Sequence, residues 1–251
     1  MITRVLAVGL LAGLIAGVSI AVMQAFTTTP LIIAAETYEN APAHHHAFSA
    51  SPPIVRAVAT NAPARLIPVH QATGEHEDDV WAPADGWERT FYTGTATVGT
   101  AVGFAFLLLA GMLSAGGAIT ERRAIGWAAA AFAATGLAPA MGLPPELPGM
   151  EAAGLIDRQI WWIATAVASA AALWLFLRSE TFAPKVLALA LLVLPHAIGA
   201  PQLAEAHASS VPADLAARFA ATSLAVQASL WVLTGFFVGI LWPRIGENHG
   251  G

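Results

Sequence analysis

The side chains in this sequence that could do chemistry are carboxylates and imidazoles. The chain contains sixteen acidic residues and eight histidines but no cysteine. Without cysteine there can be no disulfide, thiolate metal cage or cysteine nucleophile, so any metal chemistry must use nitrogen and oxygen ligands. Spacing and surroundings single out six candidate metal ligands, which are Glu36, Glu39, His44, His46, Glu146 and His196.

The first candidate group follows a proline. If a helix resumes after Pro30, Glu36 and Glu39 fall three residues apart on one face. Three consecutive histidines, from His44 to His46, follow within a few residues. Carboxylate and imidazole together suit a borderline divalent ion such as Co²⁺, Ni²⁺ or Zn²⁺. The alternative is a solvated helix end with a hydrophilic tail.

Glu146 lies in a proline-rich segment, residues 137–149. The four prolines of this segment cannot continue a helix, so they predict a rigid turn that holds Glu146 at the end of an apolar run. Fixed placement of this kind favours a carboxylate that binds or packs over an idle surface charge.

Arg158 opens the next apolar run on the same side, together with Trp161 and Trp162. An arginine and two tryptophans are typical of a membrane interface, which explains these aromatic residues without any further role. Alternatively, Arg158 pairs with Asp157 or Glu146, and its role is then structural.

His196 follows Pro195 at the end of an apolar run. Ionisable groups at membrane depth usually face a cavity or a partner, and the proline also releases a backbone carbonyl nearby. We therefore expect His196 to act as a metal ligand or gate, with hydrogen-bonded packing as the alternative.

The elements that must position these residues are membrane helices. Of the 251 residues 57% are hydrophobic and only 11% charged, too apolar for a soluble domain. Apolar runs of about 20 residues predict membrane-spanning helices, near 5–26, 91–113, 124–142, 159–177, 183–200 and 219–242. The sequence thus predicts an all-α integral membrane protein. It predicts a single domain over residues 1–251, formed by a bundle of about six transmembrane helices. One long outer loop, at 27–90, is rich in alanine, proline and histidine.

The charges sort by side of this bundle. One side receives the basic residues Arg4, Arg122, Arg123, Arg178, Lys185 and Arg244 with three acids, and the other receives five basic residues and thirteen acids. Because basic residues accumulate in cytoplasmic loops, both termini are predicted to be cytoplasmic in a bacterial inner membrane. Glycines four residues apart, as in Gly9, Gly13 and Gly17, predict close packing between helices of one bundle.

Several functional signatures are absent from the sequence. It has no phosphate-binding loop, dinucleotide fingerprint, HExxH motif or Gly-x-Ser-x-Gly elbow. We therefore expect neither an enzyme nor a tightly bound cofactor, and no nucleic-acid partner.

The same segments resemble the CbtA family of probable cobalt transporter subunits. The segments that carry the resemblance are residues 30–39, the histidines at 44–46, Leu-Pro-Pro-Glu-Leu-Pro-Gly at 143–149, Arg-Gln-Ile-Trp-Trp at 158–162 and Leu-Pro-His-Ala-Ile-Gly-Ala-Pro at 194–201. The resemblance implies a small multi-helix membrane protein that imports cobalt for cobalamin synthesis, alongside a short single-span CbtB-like subunit.

Together these observations predict Co²⁺ uptake from the outer face, with Ni²⁺ left open because both ions accept nitrogen and oxygen ligands. The ion would first meet the acidic patch of the outer loop, which contains Glu75, Glu77, Asp78 and Asp79. It would then meet Glu36 and Glu39 with His44 or His46, and pass toward Glu146 and His196. The alternative is an accessory subunit that does not transport. If Glu36, Glu146 and His196 converge on one cavity, transport is favoured.

Overall fold

The computed structural model describes residues 1–39, 83–84, 86–203 and 209–247. Helices account for 81% of these residues, and no strand occurs among them, which confirms the predicted all-α class. The helices are α1 (Ile2–Phe26), α2 (Thr28–Glu39), α3 (Trp87–Ser114), α4 (Glu121–Phe132), a π-helical turn (Ala133–Leu137), α5 (Ala138–Ala140), α6 (Leu155–Arg178), α7 (Phe182–Ile198) and α8 (Ala213–Glu247).

Four of these helices, α1, α3, α6 and α8, are long and apolar enough to cross a membrane. Two of the six predicted spans take a different form. The third predicted run is divided into α4, the π turn and α5, and the fifth is the 17-residue α7. Part of the predicted outer loop is helical, because α2 occupies Thr28–Glu39 and α3 begins at Trp87.

The break between α1 and α2 lies at Thr27, whose backbone departs from helical geometry. Pro30 explains its position, because a proline ring collides with the carbonyl four residues earlier, here that of Phe26. The helix resumes at Thr28, two residues before Pro30 rather than after it, and so α2 carries Glu36 away from the axis of α1.

A second proline shapes the π turn. Pro139 has no N–H to donate to Thr135, four residues back, and its ring would collide with that carbonyl in a regular α-helix. The wider turn relieves the conflict, with the Ala138 N–H donating to the Ala133 carbonyl instead. The helical path therefore continues through residues 121–140, whereas the sequence pattern predicts a helix end at the proline-rich segment that contains Pro139.

Close approach of helices depends on glycine at two interfaces. A Cβ atom on Gly13 would lie 2.3 Å from the Val102 Cα of α3, and one on Gly239 would lie 2.4 Å from the Glu121 Cα of α4. Backbone cannot yield as a side chain can, so these positions require glycine. The prediction of intramolecular packing holds for them. Gly99 and Gly103 differ, since nothing lies within 4 Å of a Cβ built on either.

The helix ends form two layers, and one of them, called here the basic end, holds both the start of α1 and the end of α8. Arg4 Nε donates to the Trp242 carbonyl at 2.9 Å, and Arg178 donates to the Ala115 carbonyl at 3.4 Å. The connectivity places six basic residues at this end, which are Arg4, Arg122, Arg123, Arg178, Lys185 and Arg244.

The opposite layer, called here the acidic end, is held together by a small apolar cluster. Ala35 of α2 packs there with Leu147 of the proline-rich turn, and with Val211 and Phe219 at the start of α8. This cluster joins three parts of the chain far apart in sequence. It therefore fixes the segments that carry Glu36 and Glu146, each adjacent to a cluster residue.

Candidate functional site

Glu146 and Arg158 form an ion pair at the acidic end. Leu147 is buried in the acidic-end cluster, which anchors the turn, and Arg158 lies in the first turns of α6. Arg158 Nη2 donates to Glu146 Oε2. Of the alternatives left open by the sequence, pairing with Glu146 is the one observed. The Arg158 Nε atom is buried and has no hydrogen-bond partner in the part of the chain that the structure describes.

This ion pair lines a cavity of about 650 Å³ between the π turn, the proline-rich turn, α6 and α8, called here the α6 cavity. Its polar lining residues are Thr135, Glu146, Arg158, Gln159 and Gln227. The remaining wall is apolar, and it includes Trp162 and Leu224. A few convergent polar groups in a mostly apolar wall are typical of ligand sites.

Gln227 was missed by the sequence interpretation. Its Oε1 atom would lie 2.7 Å from a Cβ atom on Gly136, so the π turn admits the amide only because residue 136 has no side chain. The signal was an isolated amide inside the apolar run at 219–242, because polar groups within membrane segments usually face a cavity or a partner.

Glu36 forms the second ion pair of the acidic end, with Arg89 at the start of α3. The pair is two-pronged, since Arg89 Nη1 donates to Glu36 Oε2 at 3.0 Å and Nη2 donates to Oε1. The hydrogen bond from Arg89 holds the pKa of Glu36 below its ordinary value, with a smaller contribution from the arginine charge, against desolvation.

The Glu36–Arg89 pair lines a separate groove of about 900 Å³ between α1, α2 and α3, called here the α2 groove. Thr90 and Thr95 also line it, and both hydroxyls donate to carbonyls four residues back along their own chain. Deeper between α1 and α3, Thr97 donates to Gln24 at 2.8 Å. The polar groups of this groove mostly join helices or bond to their own helix.

His196 packs against Trp161, with ring centroids 5.9 Å apart in an edge-on arrangement. Trp161 is 8% exposed, and its Nε1 donates to the Pro195 carbonyl at 3.3 Å. The prediction that Trp161 is an interfacial residue is therefore wrong, because its ring fills the space that Gly142 leaves open. Trp162 is 40% exposed.

The candidate ligands do not converge on one cavity. Glu146 lines the α6 cavity, Glu36 lines the α2 groove, and His196 lines neither of the two. Within the residues that the structure describes, no group of three or more His, Asp or Glu side chains could hold a metal ion. His44, His46 and the Glu39 side chain lie outside the described part. Their role as metal ligands stays a prediction.

Comparison with known proteins decides the family. A family model described as "Probable cobalt transporter subunit (CbtA)" matches residues 2–243. The chain belongs to the CbtA family. No curated protein and no solved structure matches it. The match covers every described helix at least in part. The residues that line both cavities and all six candidate ligands lie within residues 2–243.

Membership of the CbtA family has two direct consequences. Together with the four long apolar helices, it makes the chain a multi-pass membrane protein of a cobalt transporter family. The description of CbtA as a subunit also implies that the protein works with partner subunits.

Proposed function

We propose that this chain takes up Co²⁺ across the bacterial inner membrane, as one subunit of a transporter that serves cobalamin synthesis. The observation that carries the proposal is the α6 cavity, in which Glu146 and two amide side chains face a space inside the acidic end of an apolar bundle. Carboxylate and amide oxygens are ligands that a divalent cation accepts, and the family description supplies the cargo.

The proposed orientation places the basic end in the cytoplasm, with both termini there and the acidic end outside. Its support is the positive-inside rule, since six basic residues share the basic end. We further propose six crossings. The helical path over residues 121–140 is about 30 Å long at 1.5 Å per residue, and α7 is about 26 Å long, against about 30 Å of hydrocarbon.

Capture would begin with the acidic outer loop and with Glu36 and Glu39, aided by His44 or His46. The ion would then reach Glu146, with His196 further along the path. Arg158 donates to one oxygen of Glu146, so an incoming dication competes with the guanidinium for the carboxylate. The hydrogen bond from Arg158 keeps the Glu146 carboxylate oriented and does not block the site for an ion.

The membrane potential can supply the driving force. An inside-negative potential is worth about 2.3 kcal/mol per elementary charge for each 100 mV, and a divalent ion carries two charges. Uptake then needs neither a bound nucleotide nor covalent chemistry. We accordingly propose a protein that is not an enzyme and holds no tight cofactor, in contact with membrane lipid and a single-span CbtB-like subunit. Ni²⁺ would share the same ligands.

Radiolabelled Co²⁺ uptake tests the proposal, in cells that lack other cobalt importers and carry this chain with or without its small partner. Glu146→Gln and His196→Ala are compared with Asp214→Asn, an exposed acid in the first turn of α8, at equal membrane levels. We expect Glu146→Gln to abolish most uptake, His196→Ala to reduce it and Asp214→Asn to leave it unchanged. Uptake at background in both settings would refute a transport role.

A second candidate function is an accessory subunit that packs within a larger assembly and does not itself form the path. The dispersal of Glu36, Glu146 and His196 over three places favours it. This candidate predicts that uptake by the complete assembly survives Glu146→Gln but fails when the whole chain is deleted. Uptake in the Glu146→Gln strain and in the deletion strain therefore distinguishes the two functions.

A further inference from the structure

The most unusual polar groups outside the two cavities are two hydroxyls on α6. Thr165 and Ser169 are 0% and 1% exposed, and neither hydroxyl has a hydrogen-bond partner among the described residues. Other helix hydroxyls donate to the carbonyl four residues back, as those of Thr135, Ser229 and Thr234 do. Thr165 and Ser169 do not use this option.

An unpartnered buried hydroxyl is costly. Burying a polar group without a hydrogen bond costs the free energy of removing it from water, so two such groups on one helix call for a polar occupant beside them. Buried polar groups of this kind are usually satisfied by ordered water. The segments that pack against α6 are α4, the π turn, α5 and α7, and any occupant lies among them.

The two hydroxyls continue a line that starts at the α6 cavity. Thr165 and Ser169 lie seven and eleven residues beyond Arg158, so each lies within about 20° of Arg158 around the helix, one on either side. Arg158 lines the α6 cavity, and its Nε is also buried without a partner. Three polar groups with unused hydrogen-bonding capacity thus follow one face of α6.

This line leads into the membrane. At 1.5 Å per residue, Thr165 and Ser169 lie about 10 Å and 16 Å beyond Arg158 along the helix axis. Ser169 is therefore close to the middle of a hydrocarbon layer about 30 Å thick. The π turn lies against the same helix, and π turns within α-helices often occur at functional sites.

We propose that a hydrated track runs inward from the α6 cavity along this face of α6, with Thr165 and Ser169 as its hydroxyl ligands for water and for a hydrated cation. The inference rests on the proposed function for the identity of the cation. It adds to that function the part of the path that lies beyond Glu146, where α6 carries no ionisable side chain between Arg158 and Arg178.

Cysteine accessibility tests the track directly, because the chain has no native cysteine. Ser169→Cys and Thr165→Cys, assembled with the partner subunit in membrane vesicles, are exposed to a water-soluble cationic thiol reagent and read by mass. Ala101→Cys on α3, which is 0% exposed and on a helix that does not pack against α6, is the buried control, and Val167→Cys is the control on the exposed face of α6. We expect labelling of Ser169→Cys at least about tenfold faster than of both controls, and slower labelling when Co²⁺ is present.

Thermal stability gives a second readout that requires no labelling. If the hydroxyls are dry and unpartnered, Thr165→Val and Ser169→Ala remove a penalty and raise the Tm. If they bind water, as proposed, the Tm stays the same or falls. Labelling no faster than that of Ala101→Cys, or a raised Tm in both variants, would overturn the track.

The outcomes separate the track from the transport proposal. Fast labelling of Ser169→Cys in a chain that takes up no Co²⁺ supports the track and removes cobalt as its cargo. Uptake that depends on Glu146, with Ser169→Cys unlabelled, supports transport and eliminates this route.

Discussion

Two glutamate–arginine pairs flank the apolar cluster of the acidic end, and they use their hydrogen-bonding groups differently. Glu36 and Arg89 meet through both oxygens and two nitrogens. Glu146 and Arg158 meet through one oxygen and one nitrogen, and the Nε of Arg158 is left buried and unpartnered. The first arrangement joins α2 to α3. The second leaves groups available to a ligand.

The polar groups around the two ion pairs show the same contrast between engaged and available hydrogen-bonding groups. The hydroxyls of Thr90 and Thr95 beside Glu36 bond to their own chain, whereas the amide of Gln227 faces the space beside Glu146. A carboxylate that is fully engaged stabilises a fold, while one that is partly engaged can exchange partners. The contrast assigns a structural role mainly to the α2 pair and a binding role mainly to the α6 pair.

The largest expected effect separates the two carboxylates in transport. Glu146→Gln should lower Co²⁺ uptake at least about tenfold, because loss of a charged partner costs about 2 kcal/mol or more. Glu36→Gln should lower it only about two- to threefold, since Arg89 already engages both oxygens of that carboxylate. Initial uptake rates at equal expression provide the measurement, and equal losses in both variants would remove the distinction.

Exchanging the partners sharpens the same contrast. In the variant Glu36→Arg with Arg89→Glu the ion pair can re-form, so stability and most uptake should return relative to either single change. In Glu146→Arg with Arg158→Glu stability should also return, but uptake should not, because the carboxylate now lies on α6. Tm in detergent and Co²⁺ uptake are measured on the same preparations, and full uptake from the second exchange would contradict a positioned ligand.

A smaller effect is expected at the π turn. Gly136→Ala places a Cβ 2.7 Å from Gln227 Oε1 and 2.8 Å from the Phe132 ring, so the flexible amide must shift away from the cavity. Uptake should fall about threefold, in line with the loss of one neutral hydrogen-bonding group. Gly126→Ala is the control, because nothing lies within 4 Å of its added Cβ. Equal rates for the two variants would remove Gln227 from the site.

The smallest effect is a pH dependence of stability at the α2 pair. Since the pKa of Glu36 is lowered in the folded protein, its contribution is present at pH values above the ordinary carboxyl pKa of 4.5 and is lost as the pH falls through the folded value. The Tm difference between the native chain and Glu36→Gln should therefore be small at pH 7 and vanish in acid. A difference that grows below pH 4.5 would contradict the pairing.

The sequence predicted the helices because apolar length and charge are local properties, and it predicted the fixed turn at Glu146 because prolines act locally. It did not predict that Pro139 would widen the helix into a π turn rather than end it. The burial of Trp161 depends on Gly142 and Pro195, which come from other segments. Which acid pairs with Arg158 likewise depends on how the turn folds back, and pattern alone left two candidates.

Only the charged residues of the site could be predicted from the sequence. Glu36 was identified from its spacing to Glu39 and the nearby histidines, and Glu146 from the prolines around it, but their division between two cavities follows from the docking of α2 against α3. Gln227, Thr165 and Ser169 are uncharged and were overlooked, although neutral polar groups are the ones that a membrane helix can carry deep into the bilayer at modest cost.

The length of α8 has a mechanical consequence. At 35 residues it is about 52 Å long, far more than the hydrocarbon thickness of about 30 Å. Its first turns hold Phe219 in the acidic-end cluster, and its last turns hold the Trp242 carbonyl against Arg4. Helix α8 is thus held at both ends of the bundle. A tilt of α8 in a thinner bilayer therefore also moves α2 and the turn that carries Glu146.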